Sequence, residues 1–80
     1  MITQAAVRAD GKVYTLPRPA RHADVLHIVF EERGAVCPGA EQGFLDNAGT
    51  FCGRRGAAAE AFLCGQLDQP KNQLYTEDLW

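Results

Sequence analysis

The sequence contains no serine, and it has little excess charge of either sign. A net charge of -2 at pH 7 argues against a generic nucleic-acid-binding protein, because such proteins present a basic surface to phosphates. No apolar run approaches the roughly 18 residues of a membrane span. The start MITQAAVRADG lacks the basic and then apolar segments of a signal peptide. We therefore expect a cytosolic protein with neither a membrane partner nor a direct nucleic-acid partner.

The three cysteines form neither a disulfide framework nor a zinc site. Cys37, Cys52 and Cys64 are odd in number, and the chain has no CxxC pair. We expect Cys52 and Cys64 to be small buried hydrophobic residues and Cys37 to be an exposed loop thiol without a role. His22 and His27 are five residues apart, on different faces of a helix, so they do not form a metal pair. The sequence thus predicts no metal and no cofactor.

The first half of the chain has the pattern of a hairpin followed by a helix. Residues 2–9 and 12–16 flank Asp10 and Gly11, a dipeptide that suits the positive φ angles of a two-residue hairpin turn. Residues 21–34 then form a helix that ends at Gly34. Its predicted apolar stripe consists of Val25, Leu26, Val29 and Phe30.

The second half repeats this order. GFL and TFC are joined through DNAG as a second hairpin, and residues 54–65 form a second helix. The predicted packing side of this helix consists of Ala58, Ala61, Phe62 and Gly65. The chain is therefore expected to be one α+β domain, residues 1–80, with the order ββαββα. Two helices would cover one face of an antiparallel sheet.

The C-terminal tail is expected to dock on the domain. A single helical layer leaves apolar surface open, and the tail supplies large side chains to cover it. These are Leu74, Tyr75, Leu79 and Trp80. Each such side chain contributes roughly 1.5–3 kcal/mol when buried. Thr76 is a possible cap of a short terminal turn.

The acidic side chains are candidate partner-binding residues. They are Asp24, Glu31, Glu32, Asp68, Glu77 and Asp78. One interpretation is an ordinary solvated surface. The other is an acidic patch aimed at a basic channel on another protein, because complementary fields steer association.

Four basic residues at the two helix starts form an alternative ligand-binding group. They are Arg21, His22, Arg54 and Arg55. Helix N-termini attract anions, but no glycine-rich phosphate motif accompanies them. One arginine is equally open to pairing with Glu77 or Asp78, and His22 either hydrogen-bonds in the core or acts as a base. No catalytic constellation is present, so an enzyme is not expected.

Five short motifs stand out along the chain: RHADV, QGFLDNAGTF, GRRGAAAEA, the pair GQ and the ending LYTEDLW. In these motifs the chain resembles a family of small proteins encoded by phages and prophages. The sequence departs from the family at Gly56, where other members place an acidic residue, so a salt bridge expected there is missing. The resemblance implies a phage accessory protein and supplies no catalytic residues.

A narrower resemblance is to short phage proteins that inhibit type I CRISPR systems, including a type I-C inhibitor of similar length. It implies a protein of the host cytoplasm whose partner is the RNA-guided surveillance complex (Cascade), and which blocks target-DNA binding. Two alternatives are a binder that sequesters an immune signalling nucleotide and a structural or regulatory phage protein.

Overall fold

The computed structural model describes residues 1–35 and 38–80. The elements are β1 (Ile2–Ala9), β2 (Lys12–Thr15), α1 (His22–Arg33), β3 (Glu41–Asp46), β4 (Phe51–Gly53), α2 (Arg54–Leu63) and a 3-10 turn, Thr76–Asp78. The strands form one sheet in the order β2-β1-β3-β4, and all neighbours are antiparallel. The predicted α+β class and the ββαββα order are confirmed.

Both hairpins have the predicted turns. Asp10 and Gly11 have φ angles of 51° and 79°, and they place Ala9 opposite Lys12. In the second hairpin the Asp46 carboxylate accepts hydrogen bonds from the main-chain N–H groups of residues 48 and 50, both over 2.9 Å. Short polar side chains that bond their own turn are the reason such residues favour these positions.

Two apolar clusters lie on the same face of the sheet, one under each helix. The cluster under α1 contains Ala5, Val7, Ala9, Tyr14, Val25 and Val29. The cluster under α2 contains Ile2, Phe44, Ala57, Ala58, Ala61 and Leu74. Alanines on α2 let that helix lie close to the sheet, because their side chains occupy little space.

The tail docks on the domain, as predicted. Leu74 is fully buried, and Trp80 packs against both clusters. Thr76 is buried and does not cap the terminal turn as expected. The carboxylate of Asp78 caps it instead, because it accepts the Tyr75 N–H over 2.9 Å. The turn folds the chain so that the carboxylate of Asp78 lies close to the main-chain N–H of Tyr75.

The opposite face of the sheet carries its own small cover. The Phe51 ring lies over Gly43, where a Cβ atom would come within 2.6 Å of the ring. The guanidinium of Arg8 lies 4.6 Å from the Phe51 ring centroid and pairs with Glu41 over 2.9 Å. This cover shields Ala6, which is fully buried although no helix lies on that side.

Some expected core residues are on the surface instead. Phe30 is 48% exposed and Phe62 is 40% exposed, because each lies at the flank of its helix and the sheet reaches only the central stripe. Cys64 is exposed, because it follows the last turn of α2. Tyr75 is 42% exposed. The prediction for Cys37 falls outside the described residues.

No helix within the described residues is long and apolar enough to cross a membrane.

Candidate functional site: the surface where the tail meets the helix starts

The tail is anchored on the loop that precedes α1. The indole N–H of Trp80 donates to the carbonyl oxygen of Ala20 over 3.0 Å. The guanidinium of Arg21 donates to the main-chain oxygen of Trp80 over 2.8 Å. The guanidinium of Arg18 lies 4.2 Å from the centroid of the indole ring, a favourable cation–π arrangement. Two of these contacts hold the indole ring of Trp80 and the third holds its main chain, and all three come from residues 18–21.

A second anchor holds the tail at the start of α2. One guanidinium nitrogen of Arg54 donates to the carbonyl oxygen of Leu74 over 2.6 Å, and the guanidinium lies 4.6 Å from the Tyr75 ring centroid. The other terminal nitrogen donates to the Gln42 side chain over 2.7 Å. Arg54 thus binds the main chain of the tail, where the sequence suggested a carboxylate of Glu77 or Asp78.

His22 lies beneath this anchor and is only 6% exposed. Its Nε2 atom lies 2.6 Å from the carbonyl oxygen of Gly43, and its Nδ1 atom lies 3.4 Å from a guanidinium nitrogen of Arg54. A carbonyl can only accept, so Nε2 carries the proton and Nδ1 is the acceptor. Burial lowers the pKa of His22, and the cation of Arg54 lowers it further. The core hydrogen bond predicted for His22 is confirmed.

The alternative ligand-binding group is therefore brought together only in part. The structure places His22 beside Arg54 and places Arg21 at the other end of the tail, and all three contact tail residues or the core. Arg55 is exposed on α2, and it has no hydrogen bond or ion pair within residues 1–35 and 38–80. The tail occupies the space in which an anion would meet Arg21 and Arg54. Ligand binding by this group stays a prediction.

The three acids of α1 differ in their surroundings. Glu31 pairs with His27 over 2.9 Å, as the spacing of four residues predicts. The carboxylate of Asp24 accepts the main-chain N–H of Arg21 over 2.8 Å and so caps the helix. Both side chains are exposed.

Glu32 is engaged with the first hairpin. It accepts a hydrogen bond from the Tyr14 hydroxyl and pairs with Lys12 over 3.0 Å. These two contacts, the tyrosine first, hold the pKa of Glu32 below its ordinary value. Its charge is therefore largely balanced by neighbours within the chain.

The acids that follow α2 also divide into two kinds. Asp78 pairs with Lys71 over 2.5 Å, and this contact lowers its pKa. Asp68 is exposed and shares with Lys71 and Asp78 the lining of an open depression of about 400 Å³. Glu77 is exposed and close enough to His22 to raise that residue's pKa. Glu77 therefore lies near the start of α1.

Four of the six candidate acids have no lysine or arginine partner in the part of the chain that the structure describes. They are Asp24, Glu31, Asp68 and Glu77. Three of these lie on or beside α1, whereas Asp68 lies apart in the loop after α2. Partner binding through these acids stays a prediction. Among the described residues, no group of three His, Cys, Asp or Glu side chains is placed to hold a metal ion.

Sequence reasoning missed Arg18, Tyr14 and Gln42 as contributors to these arrangements. Arg18 and Trp80 are 62 positions apart in the sequence, so no helix or strand period connects them. Composition was the available indication. Arginines in a proline-rich loop and aromatic residues in the tail can form cation–π contacts with each other.

Comparison with known proteins places the chain in a phage family. No curated protein matches it, and no solved structure matches it. The family model described as phage T4 y16D protein matches residues 1–80, the whole chain. The resemblance to a phage protein family is thereby confirmed, and the chain belongs to the phage T4 y16D protein family.

Proposed function

We propose that this phage-family protein acts in the infected host cell as a stoichiometric inhibitor of host defence. Its proposed partner is the surveillance complex of a type I CRISPR system, and the proposed effect is to block target-DNA binding. The action is binding without catalysis. In this proposal the protein presents carboxylates to a basic channel that otherwise receives DNA phosphates.

The observation that carries the proposal is the distribution of acids that form no ion pair with a lysine or arginine side chain of the described residues. Asp24, Glu31 and Glu77 lie on or beside α1, and none of them pairs with a lysine or arginine of the described residues. Asp24 and Glu31 share one side of α1, because they are seven residues apart, and Glu77 lies in the turn Thr76–Asp78 near the start of that helix. Charges that are not balanced within the chain are free to attract a basic partner, and such attraction raises association rates strongly.

The nucleotide-sequestering alternative has less support. Arg21 and Arg54 donate to main-chain oxygens of the tail over 2.8 Å and 2.6 Å. An anionic ligand would have to displace residues 74–80, among which Leu74 is fully buried. The same geometry that stabilises the tail therefore disfavours a free ligand at these arginines.

The decisive experiment measures binding of purified variants to a purified type I surveillance complex. The test variant carries Glu31→Lys and Glu77→Lys, because neither side chain caps a helix. Asp24 and Glu32 are left unchanged, since Asp24 caps α1 and Glu32 bonds to Tyr14. The control is Asp68→Lys together with Asp46→Asn, which also changes two acids, by three units of charge against four in the test variant, but lies away from α1.

We expect the test variant to lose at least about tenfold in affinity, because a repulsive contact replaces an attractive one at each position. The control should bind like the unmodified protein. Affinity of the unmodified protein should also fall with added salt, since exposed charges are screened beyond about 8 Å at physiological ionic strength. Equal binding by both variants would contradict the proposed surface, and no binding by the unmodified protein would contradict the proposed partner.

A further inference from the structure

The outward side of α2 is unusual for a solvent-facing helix because it is nearly uncharged. At 100° per residue, Gly56, Ala59 and Leu63 share this side, and all three are exposed. Leu63 is 80% exposed, and Phe62 at the flank is 40% exposed. The one charged residue here is Arg55. We call these five residues the α2 outer face.

Gly56 has no role within the chain that explains a glycine. A Cβ atom built at this position meets nothing within 4 Å, and its φ angle is not positive. Glycine inside a helix is less stable than alanine because it loses more backbone freedom on folding. A close approach by another molecule gives a reason for the missing side chain.

Arg55 lies at the unfavourable end of its own helix. The first turn of α2 contains no acid, so nothing there offsets the repulsion between the cation of Arg55 and the positive end of the helix dipole. Among the described residues Arg55 also has no partner of its own. An antiparallel neighbour would correct this, because it places the negative end of one helix beside the Arg55 of the other.

We infer that the α2 outer face binds a second copy of this chain, with the two α2 helices packed antiparallel about a twofold axis at Ala59. Arg55 and Leu63 each lie four residues from Ala59, so Arg55 of one copy lies opposite Leu63 of the other. The negative end of the partner helix dipole is then within reach of the guanidinium. Gly56 and Ala59 allow the two helices to come close, and Phe62 covers the flank.

The dimer is expected to be weak. A standard stable interface buries about 800 Å² on each partner, and α2 has only 10 residues. Association should therefore depend on concentration and should be complete only at high protein concentration. This inference does not rest on the proposed function, since the protein alone suffices to test it.

The test is sedimentation equilibrium over a series from low micromolar to millimolar protein, with the unmodified chain and three variants. The unmodified chain should shift from the monomer mass of 8.7 kDa towards twice that mass. Leu63→Lys places a cation opposite the partner's Arg55 and should abolish the shift. Leu63→Glu places an acid there and should dimerise at least about tenfold more tightly than Leu63→Lys, because the pair occurs twice in a symmetric interface.

Phe30→Lys is the matched control, since it places the same cation on the exposed surface of the other helix. It should dimerise like the unmodified chain. Fluorescence of Trp80, the chain's one tryptophan, reports whether each variant keeps its docked tail. A monomer at every concentration would overturn the inference. An equal loss in Leu63→Lys and Leu63→Glu would overturn the antiparallel pairing, and a loss in Phe30→Lys would move the interface away from α2.

Discussion

Arg54 and Leu74 are joined by two reciprocal hydrogen bonds. The Arg54 guanidinium donates to the carbonyl oxygen of Leu74 over 2.6 Å, and the main-chain N–H of Leu74 donates to the carbonyl oxygen of Arg54 over 3.0 Å. The start of α2 and the start of the tail are therefore fixed to each other. This contact turns the tail into part of the fold, which explains why the chain keeps large apolar side chains at its last residues.

The first prediction is that Leu74→Ala destabilises the protein. Leu74 is fully buried, so the truncation removes packing and leaves a cavity, at a cost of about 2–5 kcal/mol. Thermal unfolding should show a lower melting temperature, by about 4–8 °C for each kcal/mol. Leu63→Ala makes the same chemical change at an 80% exposed position, and in dilute protein it should leave the melting temperature nearly unchanged. Equal melting temperatures for the two variants would show that the tail is not part of the fold.

The second prediction concerns Gly43. A Cβ atom there would lie 2.3 Å from the carbonyl oxygen of Cys52 and 2.6 Å from the Phe51 ring. Because the first neighbour is main chain and cannot rotate away, Gly43→Ala should destabilise the protein by about 1–3 kcal/mol. Gly56→Ala, where the new methyl group meets nothing, should stabilise it by up to about 1 kcal/mol. Chemical denaturation of both variants measures this, and a stable Gly43→Ala protein would contradict the close contact.

The third prediction is a pH dependence of stability that arises from His22. Its pKa is lowered by burial from the ordinary value of 6.5, so between these two pKa values the unfolded chain binds more protons than the folded one. Stability is therefore fully present above pH 6.5 and is lost as the pH falls towards the folded-state pKa. Denaturation curves across this range should show a slope that His22→Gln removes.

His27→Gln is the control for that measurement. His27 is exposed and pairs with Glu31, so its replacement should leave most of the slope in place. If His27→Gln removes the slope and His22→Gln does not, the pH dependence belongs to the surface and the account of His22 is wrong.

Local features of the fold were predictable from the sequence, and long-range contacts were not. The Asp10–Gly11 turn and Gly34 at the end of α1 depend on neighbouring residues, so they could be inferred directly. Periodicity placed Phe30 and Phe62 on apolar sides but could not reveal how narrow the contact with the sheet is. Both rings lie at the flank of that contact.

The candidate site was harder to predict for the same reason. Sequence analysis placed Glu32 and Asp78 among the candidate partner-binding acids and did not find their lysine partners, because these partners are distant or irregularly spaced. Lys12 lies on β2, 20 positions before Glu32, and only the packing of α1 on the sheet brings them together. The pair of Glu31 and His27 can be inferred from the sequence alone, because the two residues lie on the same helix, one turn apart.

The proposed function is tested most directly by target-DNA binding of a type I surveillance complex in the presence of this protein. The complex is first incubated with increasing amounts of purified protein, and labelled target DNA is then added. We expect DNA binding to fall to the background level near one equivalent of the protein, while the protein with Glu31→Lys and Glu77→Lys leaves DNA binding intact. Full DNA binding at a large excess of the unmodified protein would contradict the proposal.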